Sequence, residues 1–389
     1  MEEEDIVILS ENHTEKNKTI PNSLRTGRKG FDKNKLISAS RTRNYLLNNQ
    51  LDDWLDLYYK TPISSRIGRN NTSSIGEEYS FHKYLMNKGN LFEDKIITLI
   101  KKKVKRNQFI KICDNIADLH NNISQYEAST IKAIKKGIPI IYQALMINKS
   151  GDLNGSYGIA DLLVRNDYLG SILKVNPLDD DENEDYKIMR GLNSKKNKYY
   201  YVVIDIKYTT LELCSDGKRI RNSGSFPAYK SQLCIYNQAL GSYQGYTPSH
   251  AYILGRKWKM EKNGISTMGN NCFDRLGWIN YGNWDKEYMD KTIKALAWVR
   301  EVRTKGSEWV LYPKPSHPGL YPNISNNIDG SWTDFKHKYA REIGDVTLLW
   351  NCGPKNRIKA HQNGIYSIYD KNCTSKTVGV MGEKQAIKR

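Results

Sequence analysis

The stretch 199–208, Tyr-Tyr-Tyr-Val-Val-Ile-Asp-Ile-Lys-Tyr, constrains the rest of the chain more than any other. Its aromatic and β-branched residues predict a buried strand, in which successive side chains alternate between faces. Val203, Asp205 and Lys207 therefore share one face, and Val202, Ile204 and Ile206 share the other. An aspartate and a lysine in an otherwise apolar strand are costly to bury unless they pair or hold a metal. Taken alone, the two read as a structural ion pair at a strand end. Their chemical meaning depends on what stands before and after them.

At 389 residues, 26% charged and 39% apolar, the chain is long enough for one large or two ordinary domains and has the balance of a soluble globular protein. The net charge of +18 makes a polyanion, nucleic acid first, the expected partner. The six cysteines (113, 214, 234, 272, 352 and 373) have neither zinc-finger spacing nor the look of a disulfide framework. No zinc is expected, and the usage suits an intracellular, reducing compartment. No apolar run approaches the roughly 18 residues of a membrane span, and the acidic start is no secretory signal.

In chain order, residues 1–36 read as a disordered basic arm with Arg25, Arg28 and Lys29. Ser38 or Ser40 is a candidate N-cap for a helix through Tyr45, Leu46 and Leu47, and residues 52–59 have helical spacing. After a polar loop at 62–76, helices are expected over 77–88 and 91–103, broken at Gly89-Asn90, and a third over 127–136 ending at Gly137. Strands follow at 138–147, 158–165 and 199–208. The segment 168–197, acidic at 179–185, reads as a mobile surface insertion. A helix over 226–240, a strand over 250–255 and a helix over 284–304 complete a domain spanning 37–312. Residues 313–389 form a C-terminal helical segment, with a helix near 331–342. The patternless, charged ending reads as that of a fragment of something longer.

The strand at 158–165 carries one central carboxylate, Asp161. On its own it reads as a hydrogen-bonded structural aspartate. Beside Asp205 it makes a pair of hard oxygen ligands of the kind that suits Mg²⁺ or Mn²⁺. Lys207 then supplies a cation to steady a nucleophilic water near a phosphate. Gln232 and Tyr236, four apart on one helix, share a face.

Glu93 on a helix, Gly-Ile-Ala-Asp161, Asp205-Ile-Lys207 and Gln232-x-x-x-Tyr236, in this order, resemble the RecB-like branch of the PD-(D/E)XK nuclease superfamily, over about 91–255. The resemblance implies an α/β, restriction-endonuclease-like core, a central mixed sheet flanked by helices, here with helical N- and C-terminal additions. It also implies Mg²⁺- or Mn²⁺-dependent hydrolysis of DNA phosphodiester bonds. On that reading Asp161, Asp205, the Ile206 carbonyl and Glu93 hold the metal, Lys207 positions the water, and Gln232 and Tyr236 brace the site. Lys230, beside them, is assigned to the nucleic acid. No proline precedes Asp161, and the acidic insertion is longer than usual. The cysteines that hold an iron–sulfur cluster in some relatives are missing, so no cluster is expected. The N-terminal pattern and the Asn/Lys bias resemble versions encoded by large DNA viruses. Many such domains work in repair or recombination beside a helicase, so a helicase or further domains of a longer protein stay open as partners.

Trp350-Asn-Cys-Gly-Pro-Lys-Asn-Arg-Ile-Lys resembles a helix-hairpin-helix element, with Lys355, Arg357 and Lys359 as phosphate contacts; the alternative is a solvated basic helix. The basic run 101–106 reads as a solvated face, His120 and His361 as surface or structural residues, and the Trp and Tyr residues mostly as core. Two other functions stay open: a catalytically silent nucleic-acid-binding module of the same fold, and an RNA-directed nuclease.

Overall fold

The computed structural model describes residues 36–59, 81–114, 119–174, 177–178, 199–326 and 332–380. The basic arm up to residue 35, the loop at 62–76 and the acidic run at 179–185 lie outside them. In chain order the elements are β1 (Ile37–Ser38), α1 (Gln50–Tyr58), α2 (Phe81–Lys103), β2 (Phe109–Lys111), α3 (Leu119–Lys135), β3 (Ile140–Ile147), β4 (Ser156–Arg165), β5 (Tyr201–Leu213), α4 (Phe226–Gln244), β6 (His250–Lys262), β7 (Ile265–Gly269), β8 (Gly277–Asn280), α5 (Glu287–Lys305), α6 (Thr333–Ile343) and α7 (Pro354–Gln362), with shorter turns between.

The fold is α/β, with a mixed eight-stranded sheet running β2-β3-β4-β5-β6-β7; β1 pairs with β4, and β8 with β6. β3, β4 and β5 are successively antiparallel, and β5 and β6 are parallel, joined through α4. The alternation expected on β5 is observed. Val202, Ile204 and Ile206 join Ile96, Ile97 and Ile100 of α2 in one apolar cluster. On the opposite face, Lys207 lies over the ring of Tyr229 on α4.

Three expectations needed correction in this part of the chain. α2 runs unbroken through Gly89-Asn90. A helical glycine costs about 1 kcal/mol relative to alanine, less than burying a single isoleucine contributes, at about 1.5–3 kcal/mol. Residues 168–173 do not begin a loose insertion, because Leu169, Ile172 and Leu173 are buried in the apolar cluster. Ser38 precedes a 3₁₀ turn and makes no side-chain cap. Its hydroxyl meets that of Ser40 instead.

The chain divides into two compact units, with the division falling inside α5. One contains the sheet, α2, α3 and α4. The other contains residues 44–59 and 297 onward, so α1 groups with the C-terminal segment rather than with the sheet, unlike the boundary expected at 312. Buried aromatic donors explain the grouping. Trp54 Nε1 donates to the Gly306 carbonyl at 2.7 Å, and the Tyr58 hydroxyl to that of Val302 at 2.8 Å. Trp298 Nε1 donates to Asp53 Oδ2 at 2.9 Å.

Candidate functional site

The β4–β5 ladder pairs Arg165 with Tyr201, Val164 with Val202, Leu163 with Val203 and Leu162 with Ile204, and ends there. One step further along the same register, Asp161 falls opposite Asp205. At that point the Ile206 N–H donates to Asp161 Oδ2 at 2.7 Å in place of a ladder bond. The two carboxylates thus stand where the strands part. Register alone brings together two residues 44 positions apart in the chain.

Asp205 is 1% exposed, and its Oδ1 has no hydrogen-bond partner. Its Oδ2 lies 2.5 Å from Lys207 Nζ, and that ammonium lies 5.5 Å from the centre of the Tyr229 ring. Burial alone would lower the Lys207 pKa, but Asp205 and then Asp161 outweigh it and hold the ammonium above its ordinary range. Asp161 is displaced upward too, by burial first and then by the Asp205 charge, with Lys207 opposing. One cation thus serves two crowded carboxylates.

Glu93, on α2, is near enough to add to the upward displacement of Asp161. Its Oε1 accepts from the Tyr142 hydroxyl at 2.9 Å, and that hydroxyl accepts from Gln143 Nε2 at 3.1 Å. Gln143 is in the left-handed region, at φ +52°, inside β3. The pairs on either side of it, Tyr142 with Leu162 and Ala144 with Ala160, are intact, so Gln143 occupies the register position opposite Asp161. A left-handed non-glycine residue costs roughly 1–2 kcal/mol, and such residues concentrate at functional sites. The Gln143 Oε1 is buried without a partner. Neither Tyr142 nor Gln143 stood out in the sequence; an isolated polar residue in an apolar strand was their only signal.

On α4, Gln232 Nε2 donates to the Tyr236 hydroxyl at 2.7 Å. Burial first, then Asp205, raises the Tyr236 phenol, so it stays protonated and can donate. Gly158 on β4 makes room for that ring: a Cβ there would lie 2.0 Å from Tyr236 Cε1. The structure therefore gathers Glu93, Asp161, Asp205, Ile206, Lys207, Gln232 and Tyr236 into one cluster.

Two expected phosphate contacts are not available as such. Lys230 is 1% exposed, and its Nζ donates to Asp285 Oδ1 at 2.6 Å, Asn222 Oδ1 at 2.8 Å and the Ile220 carbonyl at 3.0 Å. It is an internal brace between α4, the loop before it and the segment before α5. Arg357 is also buried, with Nη1 donating to the Pro322 carbonyl at 2.5 Å and to Asp345 Oδ2 at 3.2 Å. Lys355 and Lys359 are exposed on α7.

Among the described residues, no three His, Cys, Asp or Glu side chains converge closely enough to make a metal centre by themselves. Mg²⁺ does not need such a cage, since it binds through one or two carboxylates and keeps several waters. A buried, unpartnered Asp205 Oδ1 beside a second carboxyl is an acceptor that such an ion satisfies, so the donor set fits. No helix among the described residues is long and apolar enough to cross a membrane. Comparison with protein-family models, with curated proteins and with solved structures finds no match to this chain.

Proposed function

We propose that the chain is a divalent-metal-dependent nuclease with a restriction-endonuclease-like core of the PD-(D/E)XK kind, hydrolysing phosphodiester bonds of DNA. The observation that carries the reading is the meeting of Asp161 and Asp205 where β4 and β5 part, with Lys207 on Asp205 and a buried Asp205 oxygen left unpartnered. Asp161, Asp205 and the Ile206 carbonyl would hold the ion, with Glu93 in reach. Bound there, Mg²⁺ or Mn²⁺ neutralises phosphate charge and acidifies a water.

The chain's own residues supply the rest. Lys207, kept charged by its two aspartates, acts as a donor: its N–H groups fix the lone pairs of an attacking water and face the developing negative charge. Tyr236, protonated and braced by Gln232, offers a second donor to a phosphate oxygen. Tyr142 fixes the carboxylate plane of Glu93. The apolar cluster under Ile204 and Ile206 keeps bulk water off that side of the strand.

The test uses end-labelled linear DNA, closed-circular DNA and matching RNA, with Mg²⁺, Mn²⁺ or EDTA. We expect metal-dependent cleavage of DNA that falls by about 100-fold or more in Asp205→Ala and in Lys207→Ala. Undiminished cleavage by both variants would remove the assignment. DNA binding without cleavage in any metal would leave a binding module, and preference for RNA would redirect the substrate.

A further inference from the structure

One oxygen near the carboxylate pair is buried without a partner and belongs to neither aspartate: Gln143 Oε1. A buried acceptor left unpaired is unfavourable, and Gln143 adds a left-handed backbone at φ +52° inside a strand. Glycine at this position would remove both costs. A ligand that binds to Oε1 would offset the first of them.

The direction of the amide follows from its neighbours rather than from its shape. The Tyr142 phenol is raised above its ordinary range, by burial first and then by Glu93, so its hydroxyl keeps its hydrogen. That hydrogen goes to Glu93 Oε1 at 2.9 Å, since an ionised carboxylate only accepts. The hydroxyl can then only accept from Gln143, which must turn Nε2 toward it, at 3.1 Å. Oε1 is left as the unused end of the amide. Its surroundings are acidic. The Asp161 charge also acts on the Tyr142 phenol, and Gln143 occupies the register position opposite Asp161.

Mg²⁺ and Mn²⁺ take hard oxygen donors, and carbonyls serve beside carboxylates. A neutral donor suits this place better than a third acid of the sheet would. Asp161 is already raised by Asp205 and, less strongly, by Glu93. Another carboxylate would add to that repulsion in the metal-free protein, whereas an amide oxygen supplies a ligand without a charge. We propose that Gln143 Oε1 is an oxygen ligand to the divalent ion that Asp161 and Asp205 hold, or to a water in its shell. The inference rests on the metal reading of the carboxylate pair and does not require cleavage.

The experiment titrates Mn²⁺ into the full chain without DNA and reads free Mn²⁺ by electron paramagnetic resonance. Wild type, Gln143→Gly, Gln143→Glu and Asp205→Ala are compared, with melting temperatures in EDTA as the check on folding. Gln143→Gly removes the oxygen and relieves the backbone, so it should keep the fold. Gln143→Glu keeps an oxygen and adds a charge, but loses the donor to Tyr142. We expect Gln143→Gly to weaken Mn²⁺ binding about tenfold and Gln143→Glu to bind as tightly as wild type or more so. Wild-type affinity in Gln143→Gly overturns the proposal. So does a Gln143→Glu protein as weak as Gln143→Gly, which would mean that the residue acts only through Tyr142. In either case, binding that is lost in Asp205→Ala would leave the metal site itself standing. No Mn²⁺ binding by wild type would remove both. Mn²⁺ binding with the expected pattern but no cleavage of any substrate would count against the nuclease reading alone.

Discussion

At the scale of single residues, the candidate site concentrates conformational cost. Gln143 adopts a left-handed backbone that glycine would adopt without strain, and its amide leads through Tyr142 to Glu93. Gln143→Gly is therefore expected to leave stability unchanged or raise it by about 1 kcal/mol, while lowering metal-dependent cleavage. Tyr142→Phe should lower cleavage roughly tenfold, in line with other groups that orient metal ligands, and weaken Mn²⁺ binding measured without DNA. Loss of stability with unchanged activity in both variants would make the pair merely structural. Asp161 gives a prediction in pH. Its carboxyl is raised above its ordinary value of 3.8 by burial and then by Asp205. Its stabilising contribution in the metal-free protein is thus present below that value and is lost as pH rises through the folded one. Asp161→Asn removes the buried charge and can still accept from Ile206 N–H. In EDTA it should melt higher than wild type near pH 8, with the gap closing as pH falls; a gap that widens on acidification would contradict the assignment. Asp161, Asp205 and Lys207 were legible in the sequence because a charge in an apolar strand is conspicuous. Tyr142 and Gln143 were not, because their roles arise from one left-handed residue inside a continuous strand, which no local pattern announces.

Among the elements, α4 shows how neighbours along one helix can be misread. Gln232, Tyr236 and Lys230 all stand near the motif, and all three were given to chemistry or nucleic acid. Tyr236 stands within electrostatic reach of Asp205 and Asp161, and Gln232 donates to its hydroxyl. Lys230 turns inward to Asp285, and only tertiary packing could reveal that partner 55 residues away. Removing one member of a buried pair typically costs about 3–5 kcal/mol, whereas an apolar replacement of both can be neutral. Lys230→Ala should therefore lose that amount in denaturant unfolding. Lys230→Met with Asp285→Leu should recover much of it. A Lys230→Ala protein with wild-type stability and weaker DNA binding would restore the phosphate role. The strands show the opposite failure. β6 runs to Lys262 and turns into β7 through Asn263-Gly264, both at positive φ, a dipeptide that favours tight hairpins. The signal was present, but the outer half of β6 alternates between exposed and half-buried side chains and lacks the continuous apolar run by which the inner strands were recognised.

For the whole molecule, net charge is the property that sequence alone establishes, and it makes a claim about association rather than fold. The structure sorts the basic residues on α7 by burial. Arg357 is committed to Asp345 and the Pro322 carbonyl, whereas Lys355 and Lys359 are exposed. The sorting separates stability from binding. Arg357→Ala should lower stability by about 3–5 kcal/mol, since it leaves a buried Asp345 without its cation. If the lysines touch phosphates, Lys355→Ala with Lys359→Ala should leave the melting temperature nearly unchanged. Each lost contact would also reduce the slope of log affinity against log salt by about 1. The measurement is DNA binding in EDTA across a salt series for wild type and the double variant. A slope shallower by about 2 places α7 on the nucleic-acid backbone. An identical slope assigns the two lysines to solvent.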